Sequence, residues 1–181
     1  MTNSNIKKAK AYAEAGIRVF PCKPDNKAPR PRNGYHDATT DPKKISNWWK
    51  KNPTDLIGGV CDDTFTVIDV DCGGVPEEQK EIIMSVVDEM TDMNILNDDT
   101  PTVRTKSGGY HFYLKSTDKI TRKINYLPAI DILASGGYVI LPDENVYTTI
   151  CSDLLEQFNT LQELDMDVIE ELHEKYDITR K

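Results

Sequence analysis

Apolar positions in this chain form short runs and amphipathic stretches, a pattern that predicts both strands and helices. The run at residues 64–68 is rich in β-branched and aromatic residues and lies between acidic residues and glycines, which is typical of a buried strand. Similar runs predict strands at residues 17–20, 56–60, 102–105, 110–114, 130–133 and 138–141. We expect the strand at 56–60 to pair with the strand at 65–70.

Helical periodicity appears at both ends of the chain and twice between the strands. The predicted helices cover residues 4–15, 41–52 and 76–90, followed by an acidic helical region after residue 150. Asp41 and Pro42 are residues that favour the start of a helix. Because strands and helices do not alternate regularly, we predict an α+β fold with a mixed or antiparallel sheet core flanked by helices.

Length and composition indicate one globular unit of ordinary character. The 181 residues are 38% hydrophobic and 29% charged, and no stretch approaches the roughly 18 apolar residues of a membrane span. We predict a main domain at residues 1–150 and an acidic helical extension at 151–181 that packs on it or trails it. The four cysteines form no C-x-x-C pair, so we expect reduced thiols and a cytoplasmic location.

The net charge of −8 hides a strong asymmetry along the chain. Residues 1–53 carry twelve Lys/Arg against four Asp/Glu, and a second basic cluster spans residues 104–123. This distribution favours one face that contacts phosphates, although solvated surface lysines would account for either cluster taken alone.

Two aspartates, Asp69 and Asp71, come at the carboxyl end of the predicted central strand. Side chains alternate along a strand, so both carboxylates lie on one face, where they repel each other. A divalent cation with a preference for oxygen ligands, Mg²⁺ or Mn²⁺, would relieve that repulsion. A pair of solvated acids is the alternative for a bare Asp-x-Asp.

Two later segments strengthen the interpretation of a metal site. Asp131 lies between two isoleucines, where an isolated carboxylate is costly unless it is paired or bound to metal. Residues 105–114 form a polar, glycine-containing turn that leads into a strand with His111 near its start. Glycine backbone amides, Ser107 and Lys106 could contact an anion there, although Ser-Gly-Gly is also common in plain hairpin turns.

These segments, in this order, resemble the bifunctional primase–polymerase (Prim-Pol) family of the archaeo-eukaryotic primase superfamily. The resemblance runs from near the amino terminus to about Pro142. It includes residues 16–21, 27–29, 34–41, 45–49, Asp69 and Asp71, 107–111, and Asp131 with the Gly-Gly-Tyr at 136–138. Each piece alone is common, whereas the ordered set is specific.

The resemblance implies template-directed nucleotidyl transfer by a DNA primase or DNA polymerase in DNA replication. Asp69, Asp71 and Asp131 would hold two divalent ions, Mg²⁺ or Mn²⁺. His111 would be a catalytic and nucleotide-binding residue, and Ser107 would also contact the incoming nucleotide. Lys106 and Lys27 are further candidates for neutralising its charge. The expected partners are a DNA template and primer, dNTPs or rNTPs, and a replicative helicase encoded separately.

The chain also departs from the family pattern. Many relatives carry Asp-Ile-Arg-Gly where this chain has Asp-Ile-Leu-Ala at residues 131–134, and a usual Pro-Pro-Ser turn is Leu-Pro-Asp-Glu at 141–144. The family is also compatible with a viral, plasmid or mobile-element origin.

Three other functions are compatible with part of the pattern. A haloacid-dehalogenase-type phosphatase also uses Asp-x-Asp, but it requires Thr or Val where Gly73 stands. A nucleotide-sugar transferase leaves the later Ser-Gly-Gly-Tyr-His segment without a role. The strongest alternative is a primase-like nucleic-acid-binding replication or initiator module with little or no catalysis.

Overall fold

The computed structural model describes residues 4–117, 120–143 and 146–176. Its helices are α1 (Ser4–Glu14), α2 (Pro42–Lys51), α3 (Glu77–Asp92), α4 (Leu154–Gln157) and α5 (Met166–Tyr176). Its strands are β1 (Val19–Cys22), β2 (Leu56–Cys61), β3 (Phe65–Val70), β4 (Thr102–Arg104), β5 (Tyr110–Lys115), β6 (Lys123–Leu127), β7 (Ile130–Leu133), β8 (Gly137–Ile140) and β9 (Thr148–Thr149). The predicted α+β class is confirmed.

The strands form two antiparallel sheets. One contains three strands in the order β1-β2-β8, and the other contains six in the order β6-β7-β3-β5-β4-β9. The expected pairing of β2 with β3 is therefore wrong, because β2 pairs with β1 and β8 while β3 pairs with β5 and β7. Between β2 and β3, Asp62 accepts hydrogen bonds from the amide and hydroxyl of Thr64 at 3.0 and 2.7 Å. This tight turn takes the chain from one sheet into the other.

The central strands of the six-stranded sheet, β7, β3 and β5, are largely buried between two apolar clusters. Tyr113 and Val67 pack with Trp49 and the three-stranded sheet in one apolar cluster, whereas Phe112 and Ile68 face a second cluster. The second cluster also receives α3 and α5, through side chains that include Ile83, Val86, Ile169 and Leu172. Alternation along β3 and β5 thus assigns successive side chains to two different cores.

The helix α2 begins as its sequence predicts. The Asp41 carboxylate accepts a hydrogen bond from the Lys43 amide at 2.8 Å, and Pro42 occupies the first turn. Of the two adjacent tryptophans, Trp49 is fully buried and donates to the Asp55 carbonyl, while Trp48 is only partly buried. Lys44 lies over the Trp48 ring at 4.8 Å.

The acidic C-terminal region to Tyr176 packs on the rest of the chain. Leu154 and Leu161 join the first apolar cluster, and Leu164 belongs to the second. Near the end of α5, Tyr176 donates to the Glu89 carboxylate at 2.7 Å. The boundary at residue 150 stays a prediction, and residues 177–181 of the extension lie outside the described part.

Candidate active site

Three polar side chains form a row across the middle of the six-stranded sheet. Asp69 on β3 lies opposite Asp131 on β7 and opposite His111 on β5. Directly paired residues of antiparallel strands point to the same face, so the three side chains are neighbours. The next cross-strand set on the same face consists of apolar core residues. These are Val67 on β3, Leu133 on β7 and Tyr113 on β5, each two residues from a member of the row. The polar row therefore lies where the apolar core between the sheets ends.

Two of the predicted carboxylates are oriented by backbone amides. Asp71, just after β3, accepts a hydrogen bond from the Gly73 amide at 2.9 Å. Asp131 accepts one from the Asn125 amide at 2.7 Å through Oδ1. In each case a single carboxylate oxygen makes the bond, and the other oxygen is left for a further contact.

The third carboxylate, Asp69, lies in an environment that opposes its ionisation. Burial, followed by the negative charges of Asp131 and Asp71, raises its pKa from 3.8 to about 6, and Lys27 partly opposes this rise. A cation placed among the three carboxylates would remove the repulsive part of this effect.

His111 is buried beside this carboxylate as a neutral ring. Its Nε2 atom lies 3.5 Å from Asp69 Oδ1. Burial and the charge of Lys27 lower the pKa of His111 to about 3, so the imidazole is uncharged at neutral pH. Its Nδ1 atom is buried and has no hydrogen-bond partner among the described residues.

Two cavities meet at the Asp69–Asp131 pair. The larger, of about 400 Å³, is called the central cleft here and is bounded by side chains and glycines of both sheets. Its lining includes Lys27, Tyr35, His111, Arg122, Leu133, Gly136, Gly137, Tyr138 and Tyr147. The smaller, of about 200 Å³, is lined on its far side by Asp71, Gly73, Val75 and Asn125. Another cavity of about 690 Å³, between the end of α3 and the start of α5, contains none of the predicted site residues.

Lys27 reaches the cleft from the long segment between β1 and α2. Its backbone has φ of 61°, in the left-handed region. Burial raises the pKa of the Tyr147 hydroxyl, and a hydrogen bond from Lys27 opposes this rise. Further along the segment, Arg30 binds the fully buried Asp55 carboxylate, with Nη2 2.6 Å from Oδ1. The segment is thus folded back on the three-stranded sheet.

The turn between β4 and β5 depends on two glycines for different reasons. Gly108 has φ of +90°, a conformation that other residues rarely adopt. At Gly109 a Cβ atom would lie 2.1 Å from the Val70 carbonyl oxygen, on the residue between Asp69 and Asp71. The Ser-Gly-Gly segment is therefore a hairpin turn that also allows close packing against the end of β3.

We expect Gly109→Ala to impair the site far more than Gly108→Ala. The first change forces the backbone of Val70 to move and displaces the two flanking aspartates, whereas the second adds about 1 kcal/mol of backbone strain with no neighbour within 4 Å. Melting temperature and nucleotide incorporation of both variants check this. Equal losses in the two variants would contradict the packing role of Gly109.

The predicted anion-binding residues of this turn, Ser107 and Lys106, are not part of the lining of the central cleft. A Cβ at Gly73 would lie 2.9 Å from the Ser107 Cβ, which places Ser107 next to a residue of the smaller cavity. Lys106 is exposed and lines neither cavity. The structure brings Lys27, His111, Asp69 and Asp131 together in the cleft, and the roles of all these residues stay predictions.

Sequence reasoning missed several residues of the cleft. Arg122 was noticed only as part of a basic cluster, and Tyr138 only as part of the Gly-Gly-Tyr motif. Tyr147 carried no signal, because a lone tyrosine in a polar segment has many possible positions. Leu133, two residues after Asp131, is buried and lines the cleft.

The donor set suits a divalent cation of the oxygen-binding type. Asp69, Asp71 and Asp131 supply only carboxylate oxygens, which Mg²⁺ and Mn²⁺ prefer. The raised pKa of Asp69, with like charges among its causes, is the property that a bound cation would reverse. Within residues 4–117, 120–143 and 146–176, no three acidic, His or Cys side chains converge as a preformed metal cluster. Any ion would therefore draw the carboxylates closer.

The two-sheet α+β fold is consistent with the catalytic domain of a nucleotidyltransferase-like enzyme. The profile of the family described as bifunctional DNA primase/polymerase, N-terminal (Prim-Pol) matches residues 9–163, and the chain belongs to this family. Membership points to primase or polymerase nucleotidyl transfer with DNA and nucleotide substrates, and the family generally uses divalent metals. No curated protein matches the chain. Among the described residues, no helix is both long and apolar enough to span a membrane.

Proposed function

We propose that this protein is a metal-dependent nucleotidyltransferase that extends a DNA primer on a template. The row formed by Asp131, Asp69 and His111 is the observation that carries this proposal, because it sits between two cavities. The cleft with Lys27 suits the anionic incoming nucleotide. The smaller cavity beside Asp71 suits the end of the primer.

The residues of the site, in the row and beside it, have different tasks in this proposal. Asp69, Asp71 and Asp131 would hold two ions, Mg²⁺ or Mn²⁺. Such ions supply activation of the primer hydroxyl and neutralisation of the triphosphate. The neutral ring of His111 presents a nitrogen for hydrogen bonding and carries no positive charge that would compete with the metal ions for the carboxylates. Its contact with Asp69 orients that side chain. Lys27 holds a positive charge in the cleft through its contact with Tyr147.

Primer extension with purified protein tests the proposal directly. We expect a labelled primer on a DNA template to be lengthened in Mg²⁺ or Mn²⁺, and not after chelation of the ions. Parallel reactions with dNTPs and rNTPs identify the preferred sugar. Template binding without any extension would instead favour the primase-like module with little or no catalysis. Leu133 in place of the arginine of many relatives is the observation that supports that second candidate.

The template is expected to lie along α2, where basic side chains are exposed. Lys43, Lys50 and Lys51 are exposed and have no acidic partner in the described part of the chain. Lys44 differs from them, because it donates to the Asp37 carbonyl at 2.8 Å and so holds the preceding segment. A test of the DNA-binding face should therefore leave Lys44 in place.

Replacing Lys43, Lys50 and Lys51 together by glutamine should flatten the salt dependence of DNA binding. Each lost phosphate contact reduces the slope of log K against log salt by about 0.9 on duplex and about 0.7 on single strands. The control variant replaces Lys80 and Lys175 by glutamine. These two lysines lie outside both basic clusters, and each pairs with a glutamate. Equal changes of slope per charge removed in the two variants, measured by fluorescence anisotropy over a salt series, would place the template elsewhere.

A further inference from the structure

A second basic residue besides Lys27, Arg122, lines the central cleft, and it lies outside every predicted site motif. Arg122 precedes β6 and lines the cleft together with Asp131 and Gly137. Its neighbour Thr121 forms an isolated bridge with Ser135, which fixes this segment against the Gly-Gly-Tyr turn. The position of Arg122 is thus set by the same turn that shapes the cleft.

The side chain of Arg122 lies next to Gly137 in the cleft. A Cβ on Gly137 would lie 3.7 Å from Arg122 Cδ and 3.8 Å from Nε, so the arginine stem lies beside this residue. Gly137 pairs with Cys61 of β2. The guanidinium charge opposes the rise in pKa that burial causes at the Cys61 thiol. These contacts place the charge beside the three-stranded sheet, in the cavity that Asp69 and Asp131 also line.

Arg122 is available to a ligand. It forms no hydrogen bond or ion pair with any residue in the described ranges, and its side chain is exposed. The other basic residues of the cleft differ from Arg122. Lys27 contacts Tyr147, and His111 is neutral because its pKa is lowered. The guanidinium of Arg122 lines the same cavity as the carboxylates of Asp69 and Asp131 but forms no ion pair with either. It is therefore available to bind an anion in that cavity.

We propose that Arg122 binds the phosphate chain of the incoming nucleoside triphosphate. This inference rests on the proposed function. The planar guanidinium binds two phosphate oxygens through two parallel N–H bonds, a fixed geometry that an ammonium group lacks. Arg122 thereby supplies a cation to the cleft that it lines together with Asp131 and Gly137. Its role is to bind and orient the substrate, and no proton passes through it.

Calorimetric titration of the full chain with dATP and with ATP in Mg²⁺, without DNA, tests this role. Arg122→Ala should weaken triphosphate binding about tenfold to hundredfold, the range for hydrogen bonds to charged groups. Arg122→Lys should fall between wild type and Arg122→Ala. Binding of deoxyadenosine, which lacks phosphates, and the melting temperature should not change.

The matched control is Lys123→Ala. Lys123 is the next residue, but its ammonium lies 4.6 Å from the centre of the Tyr126 ring and it does not line the cleft. Its loss should leave triphosphate affinity unchanged. Unchanged affinity in Arg122→Ala, absence of triphosphate binding by wild type, or a loss confined to DNA affinity would overturn the inference. Wild-type protein that binds triphosphate but extends no primer would refute the proposed polymerase while leaving Arg122 as a triphosphate ligand.

Discussion

Nucleotide incorporation is expected to fall at least about a thousandfold in Asp69→Asn. The change keeps the shape of the side chain but removes the central negative charge of the row formed with Asp131 and His111. Metal ions contribute several kcal/mol of transition-state stabilisation, and each 1.36 kcal/mol is a factor of ten in rate. Single-nucleotide primer extension in Mg²⁺ and in Mn²⁺ measures the loss. Asp63→Asn, an exposed acid near the start of β3 that lines neither cavity, is the matched control.

The same variant should be more stable than wild type in the absence of divalent ions. The pKa of Asp69 is raised from 3.8 to about 6, so ionising this group costs stability in the folded protein. That cost is absent below pH 3.8, grows as pH rises towards 6, and is complete above it. Melting temperatures of both proteins should therefore diverge over this interval. Full incorporation by Asp69→Asn would refute the metal-site assignment, whatever its stability.

Loss of the Arg30 side chain is expected to cost about 3 kcal/mol of folding stability. Arg30→Ala leaves the Asp55 carboxylate, which has no exposed surface, without its partner. Breaking a buried pair costs about 3–5 kcal/mol, and the lower end applies because the Arg30 side chain is 34% exposed and partly screened. Urea unfolding gives the value. The variant should also bind nucleotide more weakly, because Lys27 lies in the segment that Arg30 anchors.

Arg32→Ala serves as the control for this effect. Arg32 lies in the same segment and is exposed, with no partner among the described residues. Its removal should change stability by less than about 0.5 kcal/mol. A double replacement, Arg30→Met with Asp55→Leu, should recover much of the lost stability, since neither charge then remains buried. Equal stability of Arg30→Ala and Arg32→Ala would show that Asp55 tolerates burial alone.

The hydrophobic pattern of the sequence predicts a helix or strand well where its buried residues are close together along the chain. The strands β3, β5 and β7 and the helix α2 were found because their apolar residues and caps are contiguous. Pairing was not predictable for β2 and β3, since the partners of each strand lie far away in the sequence. The strand β6 was missed because it is largely exposed and irregular, with φ of 50° at Asn125.

The candidate site was predictable to the extent that its residues belong to ordered motifs. Asp69, Asp131 and His111 were singled out from the sequence, and the structure places them side by side. Arg122 could not be assigned in this way, because only the packing of its segment against the Gly-Gly-Tyr turn brings it into the cleft. Lys106 occupies a motif position beside a glycine turn but lines neither cavity, and its role stays a prediction.

The two sides of the cleft differ in how they can open. Asp69 stands on β3, which is hydrogen-bonded to a strand on each side and covered by apolar clusters on both faces. Lys27 stands on a segment held mainly by the Arg30–Asp55 pair and a few backbone bonds to β1. Local opening free energies follow such differences in burial and bonding. Opening of the Lys27 segment is therefore expected to cost less free energy than opening of β3, so the cleft should widen on its cationic side before the strand that carries Asp69 moves.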